Sequence, residues 1–153
     1  MSTLVDTPFK NLPDSGKLLG LDLGTKTIGV AISDSLRYSA TPLLTIRRSK
    51  FTIDAEALLG IVHKNGVVAF VVGLPLNMDG TEGPRAQSTR AFARNLATRT
   101  SLPIAFWDER LSTAAVNRML IAADVRRDTR DQVVDKLAAS YILQGALERM
   151  RRG

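Results

Sequence analysis

Three carboxylates stand in places where packing alone gives them little reason to be. Asp22 lies inside the apolar run Lys17–Leu23, on the strand face of Leu18 and Gly20 and opposite Leu19, Leu21 and Leu23. A buried carboxylate is costly without a partner, so Asp22 either caps the turn at Gly24 and Thr25 or meets a cation. Glu109 sits in Trp107-Asp108-Glu109-Arg110, just past a predicted parallel strand. Ligands of α/β sheets gather at such carboxyl ends, although an ion pair with Arg110 is the plainer alternative. Asp135 borders the apolar stripe Val134, Leu137, Ala138, Tyr141, Ile142 and Gly145, where a merely solvated acid is out of place. Its ordinary explanation is an acid near a helix N-terminus. Asp131, one turn earlier, is a weaker candidate. Together the three fit one chemistry: divalent cations ~3.5–4 Å apart that activate water, neutralise a phosphate and stabilise the leaving oxygen.

The rest of the composition narrows the metal and the partner. The chain has 153 residues, no cysteine and one histidine, His63. Thiolate and histidine-cluster sites are excluded, and an all-oxygen site favours Mg²⁺ or Mn²⁺. Lys and Arg number 21 against 15 Asp and Glu, a net charge of +6, which suits a polyanionic partner. No apolar run reaches the ~20 residues of a membrane span, and no basic segment leads into an apolar one as in a signal peptide. A cytoplasmic location without membrane contact is expected.

The elements that must position the acids read as β-β-β-α-β-α-β-α-α. Residues 1–16 are polar and irregular and are expected to form a flexible leader, followed by one domain over 17–150. Lys17–Leu23 and residues 28–33 make a hairpin around Gly24-Thr25-Lys26-Thr27, and residues 42–47 a third strand, at an edge because of Pro42. A helix over 52–65 ends at Asn65-Gly66. Residues 67–72 are apolar on both faces, the pattern of a central parallel strand. Residues 73–84, with three glycines and two prolines, read as a mobile loop. Helices over 85–98, 112–122 and 132–150 and a strand over 102–107 complete the chain, with Thr129 and Gln132 as a capping box. Trp107 reads as core.

Four segments carry a family resemblance. They are Leu19-Gly20-Leu21-Asp22-Leu23-Gly24-Thr25-Lys26 with Ile28-Gly29-Val30-Ala31-Ile32-Ser33-Asp34, then Val72-Gly73-Leu74-Pro75-Leu76-Asn77-Met78-Asp79-Gly80-Thr81, Asp108-Glu109-Arg110-Leu111-Ser112-Thr113, and Asp135-Lys136-Leu137-Ala138-Ala139. In this order the chain resembles the YqgF family, relatives of the RuvC Holliday junction resolvases. The resemblance implies an RNase H-like α/β fold: a five-stranded mixed sheet, three strands antiparallel and then parallel ones, flanked by helices. It maps the catalytic, metal-holding acids onto Asp22, Glu109 and Asp135. It implies a metal-dependent nuclease acting in 5′-end processing of pre-16S rRNA, or a resolvase-like enzyme for branched DNA. One departure stands out. The family often has Arg where this chain has Thr27, so Lys26 or Arg37 is expected to supply that cation.

Nucleic-acid contacts are expected from Lys26, Arg85, Arg90, Arg94, Arg110, Arg126, Arg127 and Arg130, tracking phosphates rather than reading bases. With 5% aromatics, extensive base stacking is not expected. The ribosome is a further candidate partner, and monomer and homodimer both stay open. Two rivals remain beside the nuclease. An actin-like or sugar-kinase phosphotransferase also places an acid and a Gly-Thr turn after its first strand, but needs a second domain. A non-catalytic RNA- or ribosome-binding module would keep the fold without needing Asp22. No Walker motif is present.

Overall fold

The computed structural model describes residues 4–5, 12–111 and 130–151, with side chains described in 12–111 and 136–151. Its strands are β1 (Leu4–Val5), β2 (Lys17–Leu23), β3 (Thr27–Ser33), β4 (Ala40–Arg47), β5 (Val67–Leu74) and β6 (Ile104–Asp108). Its helices are α1 (Phe51–Asn65), α2 (Pro84–Ala97) and α3 (Arg130–Arg151), with a single 3-10 turn at Glu109–Leu111. One sheet runs in the order β1-β6-β5-β2-β3-β4. The hairpin pairs Leu21 with Val30, and Gly24 N–H closes its turn on the Thr27 carbonyl at 2.9 Å. β4 continues the antiparallel half at the sheet edge, and Pro42 lies at a register shift opposite Ala31. A proline, lacking a ladder donor, is tolerated at such an edge bulge.

β5 lies parallel between β2 and β6, which brings three carboxyl ends together. Both its faces are covered, as its apolar sequence requires. Leu19, Leu21, Val30, Phe70 and Val72 pack on one face with Ala55 and Leu58 of α1 and Phe92 and Leu96 of α2. Leu18, Ala69, Val71 and Trp107 pack on the other with Ala139, Ile142, Leu143 and Leu147 of α3. Trp107 is core, with Gly145 close against its ring. Fully burying each Leu, Ile or Phe contributes about 1.5–3 kcal/mol.

α1 ends as its Asn65-Gly66 signal requires: Gly66 takes φ 69° and donates to the Val62 carbonyl. Pro84 opens α2 at its first turn. The direction of α3 is set by two contacts. Arg151 donates from its C-terminal turn to the Arg37 and Tyr38 carbonyls, while Ile142 stands over Gly73 near the end of β5. The turn at Arg37 adjoins the start of β2, where Gly16 N–H bonds the Ser35 carbonyl. The N-terminal turns of α3 therefore lie toward the carboxyl ends of the strands.

Two differences from the sequence reading matter. Leu4 and Val5 pair in parallel with Ile104 and Ala105, adding a sixth strand inside the segment read as irregular. Two residues are too few for a periodic signal. β5 also runs two residues further than read and carries Gly73 inside the ladder, not in the loop. The helix read over 112–122 and the capping residue Thr129 lie outside the described residues.

Candidate active site

The site is built around the missing side chain of Gly73. β2 and β5 are in register at Leu21 and Val72, so the next residues, Asp22 and Gly73, are neighbours across strands about 4.8 Å apart. Both belong to the face that α3 covers. A Cβ on Gly73 would stand 2.5 Å from Ile142 Cδ1 and 3.2 Å from Glu109 Oε1. The bare backbone thus admits both α3 and the Glu109 carboxylate. Asp22 is 2% exposed, and neither acid is without a partner in the structure. Glycine inside a strand marks a close approach of another group, and this was the signal for Gly73 that its assignment to a loop concealed.

Glu109 is presented by the 3-10 turn that follows β6. Its neighbours clamp that turn. Arg110 Nη2 donates to Asp108 Oδ2 at 2.7 Å, and the Arg110 N–H donates to Asp108 Oδ1 at 2.9 Å. Arg110 thus pairs with Asp108, its neighbour two residues back. The Arg110 guanidinium holds the Asp108 carboxyl below the usual carboxylate range, chiefly through these side-chain hydrogen bonds. Arg110 Nη1 also donates to the Met78 carbonyl at 3.2 Å. The segment read as a mobile loop is braced by its own bonds, Asn77 N–H to Thr81 carbonyl and Gly80 N–H to Asn77 carbonyl. Asp79 accepts from the Thr81 hydroxyl and N–H, and its pKa is lowered for that reason first.

Asp135 lies on α3, one turn before Ala138 and Ala139, on the row that continues to Ile142. Its side chain, like that of Arg130, lies outside the described residues, as do Arg126 and Arg127 altogether. Among the described residues there is no group of three or more acidic, His or Cys side chains placed to hold a metal. Asp22 and Glu109 are two all-oxygen donors flanking one glycine, a set that fits a hard divalent cation.

Among the described residues, some arginines are matched by a carboxylate and others are not. Arg90 donates to both Glu82 oxygens, at 2.7 and 2.9 Å, and its guanidinium lies 4.8 Å over the Phe106 ring. Its charge, like that of Arg110, is already matched. Arg85 is exposed at the start of α2 and Lys26 is exposed in the β2–β3 turn. Arg94 is exposed roughly 13 Å further along α2 than Arg85. Arg37, one of two expected substitutes for the family's arginine, is in the wrong place. It takes φ 62° and donates to the Gly16 carbonyl, at the opposite end of β2 from Asp22. Sequence reasoning missed Arg48. It reaches the β2–β3 turn from the end of β4, donating to the Gly24 carbonyl. The adjacent pair Arg47-Arg48 at a strand end was the available signal.

Comparison with known proteins agrees with this architecture. Relatives carrying the name "Putative pre-16S rRNA nuclease" occur in Paracoccus denitrificans and Cereibacter sphaeroides. The first is 63% identical over 96% of this chain and 93% of its own length. The second is 65% identical over 91% and 87%. Among solved structures, Thermus thermophilus RuvC in complex with a Holliday junction substrate superposes with a TM-score of 0.54, covering 88% of this chain and 96% of that one. At 13% identity that likeness establishes the RNase H-like fold alone. The sequence model of a family described as "RuvX: Holliday junction resolvase" matches residues 16–149. The chain is a member of the RuvX family, the YqgF family of the sequence motifs.

Proposed function

We propose that this protein is a divalent-metal-dependent endonuclease that hydrolyses nucleic-acid phosphodiesters in the 5′-end processing of pre-16S rRNA, in the cytoplasm. The observation that carries it is that buried Asp22 neighbours Gly73 across the strands while the Glu109 carboxylate lies against that same glycine, at the carboxyl ends of the parallel strands β2, β5 and β6. The names of relatives more than 60% identical over nearly the whole chain support the reaction and the RNA.

Asp22, Glu109 and Asp135 are the residues that would hold Mg²⁺ or Mn²⁺. When bound, the metal supplies charge neutralisation at the scissile phosphate and lowers the pKa of water. The chain's own contribution is placement. β2 fixes Asp22 within a rigid ladder, the Asp108–Arg110 clamp holds the turn bearing Glu109, and α3 carries Asp135 across the same face. Cations bring the phosphates to this end of the sheet: Lys26 and Arg85 are exposed there, and Arg126, Arg127 and Arg130 precede Asp135 in sequence. A second reading, cleavage of a four-way DNA junction, is favoured by the family description and by the fold shared with RuvC. Incubation with labelled pre-16S leader RNA and, separately, with a four-way junction decides between them. Metal-dependent cleavage of the RNA in preference to the junction is expected; the reverse preference assigns the enzyme to branched DNA.

A further inference from the structure

We infer that a second anion site lies beside the carboxylates and takes a non-scissile backbone phosphate of the substrate, held by Arg48 and Arg85. This rests on the nuclease reading. A cavity of about 180 Å³ opens between the β2–β3 turn and the start of α2, lined by Thr25, Arg48, Arg85 and Ser88 together with Leu23 and Gly24. Leu23 and Gly24 directly follow Asp22. Successive residues of a strand point to opposite faces, so Leu23 belongs to the α1–α2 face and Asp22 to the α3 face. The cavity and the carboxylates therefore flank the same strand end. A chain of phosphates crossing that end meets one site and then the other.

The charge of the cavity points to an anion. Among the described residues, no carboxylate lines it. Arg90 and Arg110 nearby are matched by Glu82 and Asp108, whereas Arg48 and Arg85 have no carboxylate partner among the described residues. Arg48 is also held in place before any ligand arrives. Its backbone N–H donates to the Lys26 carbonyl at 2.8 Å, its Nη1 donates to the Gly24 carbonyl, and its guanidinium lies 5.5 Å from the Phe92 ring centroid. One bond to Gly24 leaves the other guanidinium donors for a ligand. A planar fork of that kind matches two phosphate oxygens, and Arg85 with the Thr25 and Ser88 hydroxyls supplies further donors. The site contacts backbone only, so it positions the substrate without reading its sequence.

The test is the salt dependence of binding by the full-length protein, measured in chelator with labelled leader RNA and with a four-way DNA junction. Arg85→Gln is the deciding variant because no described side-chain contact depends on that guanidinium. Arg48→Gln is run beside it, with thermal melting to confirm folding. Lys64→Gln, at the far end of α1, is the charge-matched control. The slope of log K against log salt is expected to become shallower by about 0.7–0.9 in Arg85→Gln, the value of one phosphate contact, and to stay at the wild-type value in Lys64→Gln. The nucleic acid that shows the change identifies the backbone bound. A wild-type slope in Arg85→Gln, with cleavage by the wild-type protein intact, overturns the phosphate site and leaves the nuclease standing. A wild-type protein that neither binds nor cleaves either nucleic acid overturns both.

Discussion

The carboxylate of Glu109 lies against the bare α-carbon of Gly73: its Oε1 is 3.2 Å from where a Cβ would stand, and Ile142 Cδ1 is closer still at 2.5 Å. One hydrogen in place of a methyl group therefore sets how near the β6 turn and α3 come to Asp22. Gly73→Ala is expected to push Ile142 and Glu109 outward. Overpacking of this kind costs about 1–3 kcal/mol. A misplacement of catalytic groups near 1 Å lowers rate on the order of a hundredfold. Thermal melting and kcat measured together check this. Wild-type kcat in Gly73→Ala would show that Glu109 does not depend on the notch.

Gly60 provides the opposite case. It sits within α1, and a Cβ there meets nothing within 4 Å. Gly60→Ala is expected to stabilise the fold by roughly 0.5–1 kcal/mol through helix propensity, a rise in Tm of a few degrees, with cleavage unchanged. A fall in Tm would contradict the open space around this position.

Asp108 and Arg110 give the site an acid-sensitive clamp. The pKa of Asp108 is depressed in the folded protein, first by its side-chain hydrogen bonds to Arg110. A depressed carboxylate contributes stability that is fully present above its unfolded pKa and is lost as pH falls through the lowered folded value. The clamp is accordingly intact at neutral pH and released below the usual carboxylate range near 3.9. Arg110→Ala is expected to return Asp108 toward its ordinary titration, read by carboxyl NMR, and to lower cleavage at neutral pH because Glu109 loses its brace. An unshifted Asp108 titration in the variant would remove this account of Arg110.

Much of this arrangement is legible in the sequence. Alternation along Lys17–Leu23 places Asp22 on a definite face, the doubly apolar β5 announces a central parallel strand, and Asn65-Gly66 marks the end of α1. These are local signals, each written within one element. What escapes is relational. Arg90 is neutralised by Glu82 of the loop before α2 and lies over Phe106 of β6, contacts that depend on how these elements meet in space, and Arg110 is neutralised by Asp108 two residues away, a pairing set by the turn that follows β6. Charge counting treats these arginines as equal to Arg48 and Arg85; the folded chain separates them. Arg37 fails as a substitute cation for the same reason, because the hairpin sends it to the other end of β2.

Dependence on metal is the expectation that the proposed donor set carries. With only carboxylate oxygens proposed to bind it, Mg²⁺ or Mn²⁺ is expected to support cleavage and a chelator to abolish it, with activity returning on addition of excess Mg²⁺. Equal turnover with and without chelator, in protein free of contaminating nuclease, would remove the metal from the reaction.

The central claim is that Asp22 is a catalytic metal ligand and not a turn cap, and Asp22→Asn tests it most directly. The substitution keeps the shape and removes the charge. Cleavage of labelled pre-16S leader RNA in Mg²⁺ is expected to fall below detection, while the melting transition persists and the RNA is still bound. Cleavage at the wild-type rate by the folded variant would contradict the account and favour a binding module in which Asp22 serves only the β2–β3 turn.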